Sequence, residues 1–178
     1  LNFWEQKGTA SAGNWTVENA GDTVFQSING SPTYFVSPND FFNTNVQGSF
    51  LRDRVRQPGF GDDDFIGFVF GFNEPGDNSA NASFYLADWQ RGNQSGTEEG
   101  WRLSRVNGTS TPPFGNAEND NLPNYDVYAT NTGSTLGWED NVVYDFDLLF
   151  TSSNISINVT GGTGDYQSGL EVFNIDAA

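Results

Sequence analysis

Apolar and polar residues in this chain alternate with a period of two; no long stretch repeats every three or four. Val46-Gln47-Gly48-Ser49-Phe50-Leu51-Arg52-Asp53 alternates, as does Asn154-Ile155-Ser156-Ile157-Asn158-Val159. Successive strand side chains point to opposite faces, so each segment predicts a strand with one face in the core and one in water. Phe65-Ile66-Gly67-Phe68-Val69-Phe70-Gly71-Phe72 is apolar at nearly every position. It predicts a strand covered on both faces, either central in its sheet or in a sandwich where its glycines leave room for facing rings or a bulge. Shorter strands are expected at 15–17, 23–28, 33–36, 83–90, 101–108, 141–150 and 169–175. Gly, Pro and Asn punctuate them at Asn29-Gly30, Ser37-Pro38-Asn39-Asp40 and Gly161-Gly162-Thr163-Gly164. A polar segment over 109–125 breaks the rhythm. About ten strands with no helix, repeat or linker predict one all-β domain over 1–178, two antiparallel sheets packed face to face.

Composition sharpens this picture. The chain has 178 residues, enough for a real core, and its apolar volume lies in 16 Phe, 5 Trp and 6 Tyr. Lys and Arg number 7 against 23 Asp and Glu, a formal charge of -16. That surface repels phosphate backbones and anionic membranes, so nucleic-acid binding is not expected. Calcium is its natural counter-ion, with generic solubilising acidity the alternative. With no Cys and no His, disulfides, thiol chemistry, histidine metal sites and Ser-His-Asp triads are excluded. No apolar run approaches the roughly 20 residues of a membrane-spanning helix. The first residue is Leu1 rather than Met, which suggests a processed or excised piece, and scattered Asn-x-Ser/Thr sequons hint at an exterior location.

The candidate chemistry is acidic and aromatic. Asp62, Asp63 and Asp64 stand together at the mouth of the apolar strand. They either ligate a hard cation such as Ca2+ or form an acidic turn screened by water. Asp120 and Asp126 offer a second supply of oxygens, and Glu139 with Asp140 a third; for each, ligation competes with a solvated loop carboxylate. Asp145 and Asp147 alternate with Tyr144 and Phe146 and belong on the wet face of a strand. Trp89, flanked by Asp88 and Gln90, is either a core ring or a sugar platform. Trp101 and Trp138 each stand beside acidic residues, as a sugar site requires. Phe3 and Trp4 are expected to close the sandwich. Pairs among Glu98, Glu99, Glu139 and Glu171 could in principle form a glycosidase site. The strand-borne Glu-x-Asp-x-Glu pattern of jelly-roll hydrolases is missing, and the chain reads as no enzyme.

Three segments together resemble the C-terminal lectin-like domain of thrombospondins and its bacterial relatives. They are Asp62-Asp63-Asp64-Phe65-Ile66-Gly67-Phe68-Val69-Phe70-Gly71-Phe72, then Ser83-Phe84-Tyr85-Leu86-Ala87-Asp88-Trp89-Gln90, then Leu136-Gly137-Trp138-Glu139-Asp140 leading to Tyr144-Asp145-Phe146. The resemblance implies a concanavalin-like jelly-roll sandwich with calcium in loops at the sheet edge. It implies a role in adhesion, outside the cell or on its surface, within secreted proteins such as large bacterial adhesins. The family's closing glycine-rich strand and Ser-Gln pair have no counterpart, so a C-terminal strand is either absent or supplied by another part of a split domain. The absence of Cys fits bacterial members. The expected function is a calcium-dependent module binding a glycan or cell-surface polymer, with neighbouring domains of the same chain as further partners. The alternative is a calcium-stiffened structural or protein-interaction module that binds no sugar.

Overall fold

A computed structural model describes residues 1–8, 11, 13–30, 33–58, 65–77, 79–93, 96–108 and 124–177. In chain order the strands are β1 (Glu5–Gly8), β2 (Trp15–Glu18), β3 (Thr23–Gln26), β4 (Thr33–Val36), β5 (Thr44–Leu51), β6 (Phe65–Asn73), β7 (Ser83–Gln90), β8 (Gly100–Asn107), β9 (Tyr125–Thr132), β10 (Val143–Phe150), β11 (Ile155–Gly161) and β12 (Leu170–Ile175). One four-stranded sheet has the order β12-β11-β10-β5 and the other β6-β7-β8-β9. Two ribbons, β1-β4 and β2-β3, complete the described strands. Every pairing is antiparallel.

The two four-stranded sheets form a β-sandwich, and rings fill the space between them. Phe68 of β6 stacks on Trp101 of β8 with centroids 5.7 Å apart and approaches Phe146 of β10 at 4.4 Å. Phe50 of β5 meets Trp89 of β7 edge-on at 5.5 Å. Ile155, Ile157 and Val159, the apolar half of the alternation in β11, are fully buried against this cluster. Each such side chain contributes roughly 1.5–3 kcal/mol on leaving water. On the opposite face of β10, Asp145 accepts from Ser49 Oγ at 2.6 Å, and Asp147 accepts from Gln47 Nε2 at 2.6 Å. Their placement on a wet strand face agrees with the pattern.

The second sheet is covered on both sides. Its outer face carries a smaller core of Ala82, Phe84, Leu86, Val106 and Tyr125, closed by Tyr34 of β4, whose ring meets Phe84 at 5.3 Å. Doubly covered β6 therefore sends Ile66, Phe68 and Phe70 to one cluster and Val69 and Phe72 to the other. It lies at the edge of its sheet, not the centre; the interior places go to β7 and β8.

Two other expectations change, and a third is refined. β1 and β9 are strands that the apolar pattern does not announce. In β9 (YDVYATNT) the polar residues mask the alternation, while Tyr125 and Val127 still join the outer core. Neither Phe3 nor Trp4 closes the sandwich: Phe3 is 83% exposed, and Trp4 stacks at 5.9 Å on Phe35 of the β1-β4 ribbon. Gly67 and Gly71 are both required, for different reasons. A Cβ on Gly67 would lie 2.0 Å from the Ala87 carbonyl oxygen, while one on Gly71 would meet the Phe150 and Tyr85 rings. Gly71 also falls where the β6-β7 register shifts, between Phe70 and Asn73, as a bulge would place it.

Candidate functional site

The tryptophans named as possible sugar platforms are core residues. Trp89 and Trp101 have no exposed surface and Trp138 only 2%. Trp89 and Trp101 are cross-strand partners, stacked with centroids 4.7 Å apart. Trp89 Nε1 donates to the Leu136 carbonyl at 2.5 Å, and Trp138 Nε1 donates back to the Trp89 carbonyl at 3.1 Å. Tyr166 adds a hydroxyl that donates to the same Leu136 carbonyl at 2.7 Å and accepts from Trp101 Nε1 at 3.1 Å. Leu136-Gly137-Trp138 is therefore a strap sewn onto the sandwich end. A Cβ at Gly137 would lie 1.8 Å from the Arg91 carbonyl oxygen, so only glycine lets the strap come this close. Trp89 and Trp101 cover each other's faces and the Arg91 guanidinium lies over Trp138, so these buried rings cannot stack on a sugar while the fold is closed, contrary to the expectation of a ligand surface.

The candidate metal ligands divide. Asp62, Asp63, Asp64 and Asp120 lie outside the described residues. Asp140 Oδ2 is held by Arg91 Nη1 at 2.8 Å and Arg54 Nη1 at 3.2 Å. Glu139 Oε1 accepts from Thr163 Oγ1 at 2.9 Å. Asp126 is exposed on β9, in register with Arg105. Among the described residues no group of three or more carboxylates is assembled as a cation site. Asp140 fits a metal poorly, because two guanidiniums already neutralise it. Asp126, Glu139 and Asp140 thus do not come together as one ligand set, although the sequence allows it.

Two other polar constellations emerge. The first is an open groove of about 490 Å³ on the outer face of the first sheet. Gln47, Ser49, Asp145, Asp147, Asn158 and Thr160 line it, over the backbone of Gly48 and Phe146. Asp147 Oδ2 accepts from both Gln47 and Asn45, and Asp145 Oδ1 from Ser49, which fixes the carboxylates on the sheet's outer face. Such fixed oxygens are suited to accepting hydrogen bonds from ligand hydroxyls.

The second lies under β4, on the outer face of the second sheet. Asp88, Gln90 and Ser104 are fully buried and Arg102 is 1% exposed. Asp88 faces Gly67 across one ladder and Arg102 across the other. Among the described residues, both Asp88 oxygens, both Gln90 amide atoms, Arg102 Nη1, Ser104 Oγ and the hydroxyls of Tyr34 and Tyr125 have no partner in full hydrogen-bonding geometry, although the Asp88 backbone N–H lies near enough to its own carboxylate to favour the charged form. Ser104 lies near enough to Tyr125 to influence it, yet outside hydrogen-bonding geometry. Arg102 Nη2 donates to the Glu98 carbonyl. Burial pushes the Asp88 carboxyl up to about 7, against the pull of the Arg102 guanidinium. The same burial lifts Tyr34 and Tyr125 well above the usual phenol range. Asp88, expected with Trp89 at a ligand surface, is instead buried beside Gln90, and sequence reasoning missed Arg102, Ser104, Tyr34 and Tyr125. The signal was available: with Trp89 facing the core, Asp88 and Gln90 must share the opposite face, and that face is also covered.

Residues 10–108 match the family described as the thrombospondin C-terminal region. The chain belongs to that family. It is 30% identical over 82 residues to thrombospondin-4-B of Danio rerio, covering 46% of this chain and 8% of the relative. It is 30% identical over 82 residues to human cartilage oligomeric matrix protein, covering 46% and 9%. Mouse thrombospondin-2 is 25% identical over 165 residues, covering 82% of this chain and 13% of its own length. The chain thus spans about a tenth of the length of these curated relatives, all vertebrate proteins. Domains of the thrombospondin C-terminal family are non-catalytic adhesion and interaction modules, typically extracellular, and this chain is one of them. No helix among the described residues is long and apolar enough to cross a membrane.

Proposed function

We propose that this thrombospondin C-terminal domain is a calcium-stabilised adhesion module of an extracellular or cell-surface protein, and that it binds a glycan or cell-surface polymer. The observation that carries the calcium part is Asp62-Asp63-Asp64, three adjacent carboxylates inside the family-matched segment, in a chain of net charge -16. Adjacent carboxylates repel, and a hard cation that takes six to eight oxygens relieves that repulsion. Asp62, Asp63 and Asp64 would hold the ion, with Asp120 the next donor by residue type. Support for the glycan part comes from the groove lined by Gln47, Ser49, Asp145, Asp147, Asn158 and Thr160. It takes over the role the sequence pattern suggested for Trp138. We read the sandwich as a single concanavalin-like jelly roll, in which the chain leaves the first sheet after β5, builds the second from β6 to β9, and returns as β10 beside β5. The lack of Cys keeps a bacterial adhesin within the proposal.

A second reading, a calcium-stabilised module that contacts only proteins, is favoured by one observation: Trp89, Trp101 and Trp138 offer no exposed ring. A glycan array probed with calcium and then with chelator separates the two. Saturable binding that falls in Asp145→Asn and Asp147→Asn supports the glycan reading. Calcium-loaded, folded protein that binds no glycan overturns it in favour of protein contact.

A further inference from the structure

The outer face of the second sheet is an unusual place for the polar groups it holds. Buried polar side chains are nearly always hydrogen-bonded. Here Asp88, Gln90, Arg102, Ser104, Tyr34 and Tyr125 each keep at least one buried polar atom without a partner among the described residues, all on one side of one sheet. Part of what covers them is slight. β1 and β4 form a two-stranded ribbon of four register pairs, and such a ribbon has little stability of its own. It is tied to the sheet by Tyr34 against Phe84, by Val36 on the outer core and by Lys7 Nζ to Glu74 at 2.9 Å, and to the β2-β3 ribbon by Trp15, which stacks on Phe35 at 5.8 Å and donates to Thr33 Oγ1 at 3.1 Å. Tyr34 is also the ribbon residue that senses the charge of Asp88.

We propose that Asp88 is a proton-operated latch under the β1-β4 ribbon. With its carboxyl neutral, the ribbon closes over the sheet; with it charged, the ribbon lifts and wets a polar face of Asp88, Gln90, Arg102 and Ser104.

The direction follows from the groups that face Asp88. From β8 comes the Arg102 guanidinium, and from β9 and β4 come Tyr125 and Tyr34, both neutral phenols. On the β6 side its register partner is Gly67, with no side chain. Among the described residues only Asp88 changes charge there between pH 6 and 8, because burial outweighs the attraction of Arg102. Ionisation puts a new charge into a dry layer, and the least costly route to water is to detach the ribbon.

Amide hydrogen exchange tests this, with rates corrected for intrinsic base catalysis. The amides of Glu5–Gly8 and Thr33–Val36 report on the ribbon, and those of Ile155–Val159 serve as the control. Between pH 6 and 8 the ribbon is expected to lose protection at least tenfold while the control holds, and Asp88→Asn is expected to abolish the loss. A ribbon that keeps its protection, a control that falls in step with it, or an unchanged fall in Asp88→Asn overturns the proposal. Should that variant fail to fold, carbon-13 NMR of the wild-type Asp88 carboxyl decides. A titration near neutrality whose midpoint coincides with that of the ribbon's loss of protection supports the latch, and a titration in the ordinary carboxylate range, or one apart from the ribbon's midpoint, overturns it.

Discussion

Replacing Gly67 by alanine adds one methyl group at a place where two strands leave no room. The added Cβ would lie 2.0 Å from the Ala87 carbonyl oxygen and 3.0 Å from the Asp88 Cα, both backbone atoms of the paired strand β7. No rotamer change relieves a clash with backbone. β6 and β7 must part by more than 1 Å at this register, as ordinary carbon–oxygen contact requires. Parting them weakens the ladder bonds on either side, about 1 kcal/mol each, and disturbs core packing worth about 1–3 kcal/mol. The sum is about 3 kcal/mol or more. For a domain of this size that lowers the melting temperature by roughly 6–12 °C. The matched control is Gly133→Ala, whose Cβ would make only ordinary contact with Leu136, nearest atom 3.6 Å, so a change within about 1 kcal/mol is expected. Urea unfolding followed by tryptophan fluorescence reads both. Gly67→Ala unfolding at the wild-type midpoint, with an unchanged slope, would refute the close approach of β6 and β7.

Trp138→Ala is expected to destabilise the whole domain by about 3–5 kcal/mol through the cavity it leaves; a melt equal to wild type would count against its place in the core. Asp88→Asn is expected to stabilise the protein at pH 8 by at most roughly 4 kcal/mol, the equivalent of a carboxyl held near 7 instead of 3.8. The sign is set by proton binding: between about pH 4 and 7 the folded state keeps a proton that the unfolded state has lost. Wild-type stability relative to the variant therefore falls across that window and is level above it. Urea midpoints at pH 5 and pH 8 for both proteins check this, and parallel profiles would contradict it.

Much of the fold was legible because the strands that build the two main sheets carry their alternation openly, as β11 does with Ile155, Ile157 and Val159. β6 announced its double cover by having no polar face. β9 stayed hidden because Asp126, Thr130, Asn131 and Thr132 interrupt its apolar positions, and pairing with β8 together with burial of Tyr125, Val127 and Ala129 supplies the reason for it to be extended. The candidate site was less legible. A tryptophan next to acidic residues looks the same in sequence whether its ring faces a ligand or a core. Strap packing between Leu136, Trp89 and Tyr166 decides it, across separations of 30 and 47 residues. Asp140 reads as a free carboxylate until Arg54 and Arg91, both distant in sequence, are brought onto it.

Calcium binding by the Asp62-Asp63-Asp64 cluster is the claim on which the functional reading stands, and calorimetric titration of calcium into metal-stripped protein tests it most directly. The wild type is expected to bind at least one ion saturably. Its melting temperature should rise by several degrees at a hundredfold excess over Kd, the counterpart of roughly 2.7 kcal/mol. The variant with Asp62, Asp63 and Asp64 all changed to Asn should show neither effect. No saturable heat and no thermal shift in folded wild-type protein, or equal binding by the triple variant, would contradict it.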